Sequence, residues 1–435
     1  MRRLLLIALL AATPLLAQEK LGTIVFPNSG KPEAQPPFLR GVAALHSFWY
    51  DEARDSFVEA ERIDPNFTLA YWGEAMTFNH PIWFEQDITG GRAALAKIQS
   101  SAPTPRERMY VDAVRTLYEA GSDKVQRDLA YEAAMAKLAA AYPDDVESQV
   151  FHALSILGTM QRDEPDARKQ IRAAAILEIL FASHPEHPGV LHYLIHAYDD
   201  PVHAPLGLRA AQRYAKVAPA APHALHMPSH IFVQLGMWDD AVRSNIAAYD
   251  TSKEWVKRKS LPSSRRDLHS LQWLQYAYLQ LGRFDDAKKL IDEASGDSHH
   301  EQMTKQRMIA RYAIETGDLS ALQSLHGELL ASNYGNAHDA KVAEAIEREI
   351  EALAAKKAGR PEDALALAKQ AVAIEDALGA PSGPPDIFKP PHELYGDLLG
   401  EAGKPREARE QYEIALARMP NRRLAVAGVL SMSKH

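Results

Sequence analysis

The stretch GVAALHSFWYDEARDSFVEAERIDP, residues 41–65, sets Gly41, Ala53, Phe57, Ala60 and Pro65 at intervals that suit two packed helices. The same intervals return in GDLLGEAGKPREAREQYEIALARMP, residues 396–420, as Gly396, Ala408, Tyr412, Ala415 and Pro420. Between them a turn glycine followed five residues later by a small or apolar residue recurs at Gly236/Ala241, Gly282/Ala287, Gly317/Leu322 and Gly359/Ala364. Small residues let two helix backbones approach, the glycine accepts the tight turn between them, and the proline stops the second helix. One helical hairpin cannot bury its own apolar face, so such units stack in series.

This pattern resembles the tetratricopeptide repeat (TPR) superfamily, over roughly residues 38–420, and within it a secreted bacterial subgroup with histidine-rich helices. The resemblance implies an all-α solenoid of stacked antiparallel helix pairs, whose first helices line a concave groove that takes a peptide, protein or small ligand. The organisation expected is a signal peptide at 1–17, a linker at 18–37, repeats with an insertion at 38–145, histidine-rich repeats at 146–300 and C-terminal repeats at 301–435. Two breaks in the pattern, EQDITGGRAALAKIQSSAPTPRE and the proline-rich LGAPSGPPDIFKPPHE (residues 378–393), read as surface loops, the second long enough to act as a lid.

At 435 residues, 46% hydrophobic and 24% charged, the chain has ample material for a core. A net charge of −8 gives no reason to expect nucleic acid. The one basic run, KEWVKRKSLPSSRR (253–266), reads as a solvated linker. Arg2 and Arg3 followed by the apolar run Leu4–Leu16 and the small residue Ala17 read as a secretory signal, so a periplasmic or secreted bacterial protein is expected. That run is too short to span a bilayer, and no later one approaches the length. With no cysteine, any metal site must use nitrogen and oxygen donors.

Eight histidines fall between His184 and His230, and four form two pairs, His192 with His196 and His226 with His230, repeated at the 34-residue interval of the motif. Residues four apart share a helix face, and the interval puts both pairs at equivalent repeat positions. The resemblance makes those positions face the groove, so all four imidazoles are expected to converge on one metal site. Asp199 extends the first pair on the same face, and His223 precedes the second at a compatible spacing, with Pro228 set to kink or restart that helix. Repeat numbering also brings His269, Gln272 and Tyr276 to the groove, His269 being the best additional ligand, while His46 and His80 serve a second site or line its approach. His299 and His300 read as loop residues.

Imidazole donors without thiolate suit copper or zinc. The pairs lack the internal glutamate of a His-Glu-x-x-His protease, and there are too few central carboxylates for a di-iron site. Phosphate-binding, dinucleotide-binding and serine-nucleophile motifs are absent. Two readings remain at this point. One is an exported scaffold that binds a partner in its groove and carries a histidine metal site. The other is a metal-dependent enzyme, by copper redox chemistry or zinc-assisted hydrolysis. In either case metal binding is expected to weaken as pH falls through about 6.5, where a free imidazole titrates.

Overall fold

The computed structural model describes residues 20–160, 166–320, 337–379 and 384–432; the expected signal peptide lies outside them. The chain runs α1 (Gln35–His46), α2 (Tyr50–Ile63), α3 (Thr68–Met76), β1 (Asn79–His80), β2 (Glu85–Gln86), α4 (Ile88–Ala96), α5 (Pro105–Thr116), α6 (Lys124–Ala141), α7 (Val146–Gly158), α8 (Ala167–Ser183), α9 (Pro188–Ala197) and α10 (Ala204–Val217). It continues through α11 (Pro222–His226), α12 (Pro228–Gln234), α13 (Trp238–Lys259), α14 (Leu268–Gln280), α15 (Phe284–Glu293) and α16 (His299–Thr316). The described remainder is α17 (Ala337–Lys357), α18 (Pro361–Asp376), α19 (Pro391–Glu401), α20 (Pro405–Arg418) and α21 (Arg423–Met432). Consecutive helices pack as antiparallel pairs, and the fold is an all-α helical-repeat solenoid. Among the described residues the only sheet is the two-residue pairing of β1 with β2.

Both motif stretches pack in the same way. The ring of Phe57 on α2 wedges between α1 and α3, so close that a Cβ on Gly41 would lie 2.8 Å from it and one on Gly73 2.3 Å. At the other end Tyr412 on α20 sits between Gly396 and Gly428, whose added Cβ atoms would lie 3.0 and 2.5 Å away. Glycine on each first helix is therefore the space into which the preceding or following aromatic fits. The turn glycines Gly236, Gly282, Gly359 and Gly403 all take the left-handed backbone, with φ of 68–74°, and the small residues five positions on, Ala241, Ala287, Ala364 and Ala408, are fully buried.

In the first repeat the residue five positions before Ala53 is Phe48, which takes the same left-handed conformation at φ 50°. An L-residue pays roughly 1–2 kcal/mol for that backbone, and a bulky one is a true outlier. What the ring does there is described below.

The array closes on itself. Trp255 near the end of α13 meets Trp49 edge-on at 5.7 Å and donates to Glu52 at 3.1 Å, while Lys259 pairs with Asp55 at 2.9 Å. Residues 253–259, expected in a solvated linker, are thus the last turns of a helix that docks on the first repeat. At the other end, Asn421 donates to the Gln234 carbonyl and the Arg423 amide to Gln280. The segment read as a linker is docked as well, with Phe26 buried against Phe38, Trp72 and Tyr110. The proline-rich stretch is not wholly a surface loop: Ile387 and Phe388 are buried with Ala310, Ile314 and Ile346, and Arg307 and Arg311 lie over the Phe388 ring.

Candidate metal centre

Helix α9 opens with His187 as its N-cap, accepting from the Val190 amide, and carries His192 and His196 on one face one turn apart. The second pair sits differently, because Pro228 has no amide hydrogen and splits the segment into α11 and α12, with Met227 between them. The break leaves His226 as the last residue of one short helix and His230 in the first turn of the next, and their Nε2 atoms still lie 3.2 Å apart. Those of His192 and His196 are 3.1 Å apart.

The two pairs lie side by side, with the rings of His196 and His230 6.0 Å apart. The nitrogen donors sort into two groups: His192, His196 and His223 form one, His226, His230 and His269 the other, and within each group a donor from every residue lies within 4.8 Å of the others. The expected single site of four imidazoles is instead a pair of three-imidazole clusters, each pair completed by one histidine from a later helix. His223 comes from the first turn of α11 and His269 from that of α14.

Hydrogen bonds to Nδ1 decide which nitrogens are free. His192 Nδ1 donates to the His46 carbonyl at 2.6 Å, and a carbonyl only accepts, so the Nε2 of neutral His192 carries no hydrogen and is an acceptor lone pair, 3.1 Å from His196 Nε2. Asn245, its amide nitrogen committed to the Ala241 carbonyl, presents Oδ1 to His226 Nδ1 at 2.7 Å; His226 Nε2 is bare for the same reason. His230 Nδ1 bonds Asp199 at 2.5 Å. The Nε2 of His223 is buried and makes no hydrogen bond.

Aromatic rings wall both triads. Phe48 lies edge-on to His192 at 4.3 Å and stacks on His223 and His196 at 5.6 and 5.9 Å. This is what its strained backbone achieves: a turn glycine would leave that side of the triad open. Trp273 covers the other triad, 4.3 Å from His230 and 4.9 Å from His226. His269, by contrast, is exposed, and His196 and His223 are half-buried, so each triad keeps one reachable flank.

Burial, reinforced by neighbouring imidazoles, disfavours the charged form of His192, His196, His223, His226 and His230. It lowers His192, His223 and His230 well below the ordinary histidine value. His196 falls to about 3 through burial and His230, and His226 to about 4 through burial and His230, against the opposing pull of Asp267 and the bond to Asn245. Protons therefore bind these nitrogens at more acid pH than the 6.5 at which a free imidazole titrates. Burial pushes Asp199 up to about 7, with His196 and a bond from Gln234 opposing it. In the metal-free protein, ring-carbon shifts of His196 and His226 in an NMR titration should stay flat from pH 7.5 to 5. For His226 the folded value lies below the unfolded one, so it supplies stability that is full above pH 6.5 and lost as pH falls toward about 4. Inflection near 6.5 would show that the cluster is open to water.

A third group, His46, Glu147 and His187, is also compact, but its donors are spent. His46 Nε2 and His187 Nε2 bond the two Glu147 oxygens at 2.7 and 3.0 Å, His46 Nδ1 takes the Tyr193 hydroxyl at 3.0 Å, and His187 Nδ1 takes the Val190 amide. Burial alone would raise the Glu147 carboxyl, yet His187 and His46 outweigh it and hold it at about 2. This group is a structural clamp tying α1, α7 and α9 together, and it fixes the His46 carbonyl that orients His192. His46 is therefore buried beneath the site instead of lining its approach.

Of the residues expected on an open groove, Asp199 meets His230, and Gln272 is half-buried with its carbonyl taken by Arg311. Tyr276 is fully buried under Arg422, which it meets at 3.4 Å; the groove there is filled by the chain's own C-terminal segment. His80 stacks on Tyr50 at 3.9 Å beside the exposed Trp83, whose ring also reaches His223 at 5.5 Å. His299 and His300 start the exposed face of α16 and are not in a loop. Sequence reading passed over Phe48, Glu147, Asn245 and Trp273; for Phe48 the signal was a bulky residue at the turn position that glycine holds in later repeats.

No family model matches the chain, and no curated protein does. Among solved structures, the chain is similar to the APC/C hetero-tetramer Cut9–Hcn1 at 14% identity, covering 94% of this chain and 78% of that one with a TM-score of 0.41. Yeast Tom70 is similar at 13% identity, with 92% and 96% covered and a TM-score of 0.34; the P58(IPK) TPR domain at 13%, with 92% and 98% covered and a TM-score of 0.23. The array itself, with its glycine–aromatic wedges and left-handed turn glycines, is an all-α helical-repeat solenoid.

Proposed function

We propose that this is an exported helical-repeat metalloprotein whose inner histidine cluster binds copper or zinc. The carrying observation is the pair of anchored imidazoles. His192 and His226 each spend Nδ1–H on a protein acceptor and turn a bare Nε2 toward further imidazole nitrogens about 3 Å away. When Asp199 is ionised, His230 presents a second bare Nε2 to that of His226. Two facing lone pairs repel, and a cation between them turns the repulsion into coordination. The Asp199–His230 contact is the carboxylate–histidine pairing that orients metal ligands and raises their basicity. Export rests on the arginine-led apolar run at the N-terminus.

The test is metal titration by calorimetry on untagged protein. Stoichiometric binding is expected, with the His192→Ala/His196→Ala protein losing about a hundredfold or more in affinity and His299→Ala/His300→Ala behaving as wild type. Equal losses in both double variants, or no stoichiometric binding, would refute the site.

A second reading, partner binding, has its own observation on the outer surface, where Ile179 on α8 and Val202 and Leu206 beside and on α10 are exposed, next to the Glu178–Arg209 ion pair. Partner capture there is expected to survive a chelator.

A further inference from the structure

We infer that the six histidines make two metal centres placed to share one small ligand, and that with copper(I) bound this ligand is dioxygen. The inference rests on the metal-binding reading above and goes further by assigning the number of centres and the ligand class.

Each triad is complete in itself, offering three imidazole nitrogens within 4.8 Å of one another. The triads then meet along a common border, His196 against His230 at 6.0 Å and His223 against His226 at 5.9 Å between ring centroids. No other side chain is needed to bridge these ring pairs. On their outer sides Phe48 and Trp273 close the triads with hydrocarbon. Coordination left open by three histidines is therefore directed away from the walls, toward the neighbouring centre and the flank at His196, His223 and His269.

Charge selects the metal. Every triad donor is an imidazole, a ligand that brings no negative charge to a metal, and Asp199 is the carboxylate bonded to the cluster. Two divalent ions would bring four positive charges into a buried site, two copper(I) ions only two, and the cost of burying charge rises steeply with its amount. Three imidazoles also satisfy the nitrogen preference of copper. When dioxygen enters, each copper(I) gives up one electron, the oxygen molecule accepts both and is reduced to peroxide, one oxygen–oxygen bond remains and new copper(II)–oxygen bonds form. No proton moves, and loss of dioxygen reverses the step.

The experiment loads metal-free protein with copper(I) under nitrogen, measures copper per chain, admits dioxygen and records electron paramagnetic resonance and near-ultraviolet absorption. The expected result is two coppers per chain, one for each triad, with a new charge-transfer absorption and no paramagnetic signal, because two copper(II) ions joined by one ligand couple their spins. His192→Ala/His196→Ala and His226→Ala/His230→Ala should each keep one copper and show the signal of an isolated copper(II) after oxidation. His269→Gln, at an exposed position, serves should a double variant fail to fold, and is expected to restore a paramagnetic signal. Two coppers with the full signal of independent ions would overturn the shared ligand while leaving the metal reading intact. One copper per wild-type chain would overturn the pair of centres, and no copper at all would overturn the metal reading itself.

Discussion

Replacing Arg422 with alanine should cost about 3–5 kcal/mol of folding stability, among the largest effects of any single change in this chain. Arg422 is completely buried. Its guanidinium meets the equally buried Glu393 at 2.8 Å and Glu315 at 2.9 Å, and it reaches the Tyr276 hydroxyl at 3.4 Å. Burial would raise both carboxyls. Arg422 outweighs this at Glu393, which stays below the ordinary glutamate value, but not at Glu315, which ends above it. Removing the cation leaves two carboxyls in a dry space with no opposite charge of that quality, and the penalty is their desolvation. The loss should shrink when the carboxylate is removed too: Arg422→Met/Glu393→Gln is expected to be more stable than Arg422→Met alone. Urea unfolding followed by circular dichroism measures both; a loss below 1 kcal/mol in the single variant would show that water replaces the guanidinium.

Phe48 supplies the second large effect. Truncation to alanine removes a ring packed on His192, Tyr193 and Tyr50 and should cost about 3–5 kcal/mol, as buried Phe→Ala changes do. Glycine removes the same ring but is at ease at φ 50°, so Phe48→Gly should be about 1–2 kcal/mol more stable than Phe48→Ala. Equal stabilities for the two would remove the claim that this turn is strained. Both variants strip the wall from the first triad, so water gains access to His192 and His223, while the second triad keeps Trp273. Strain held by surrounding structure is concentrated at functional positions, and in this chain it serves to put hydrocarbon where the repeat pattern would have put a glycine.

Much of the site was open to reading because helical and repeat periodicity are local rules. His192 and His196 share a face by their spacing, and the 34-residue interval relates them to His226 and His230. His223 and His269 were visible as neighbours of the pairs for the same reason. What periodicity does not carry is rotation and closure. Asp199 lies on the same helical path as the first pair, yet it bonds His230 of the second, because the bond depends on how α9 sits against α12. Tyr276 has a groove position by its register and is nonetheless buried, since Arg422, 146 residues later, folds back over it.

The sequence alone determined that this chain is a helical array, where its small residues and turn glycines fall, and that His192 with His196 and His226 with His230 form two pairs related by the repeat interval. These follow from spacings of a few residues repeated along the chain, and short-range sterics enforce them wherever they occur. Tertiary structure decided that the histidines form two triads instead of one site, that His46, Glu147 and His187 are spent on a clamp, and that Phe48 and Trp273 close the cluster. Each of these depends on contacts between elements far apart in the chain, such as His46 with Glu147 across 101 residues and His192 with the His46 carbonyl across 146. The curvature that brings such residues together is the sum of many small rotations between packed helices, and no single local spacing encodes it.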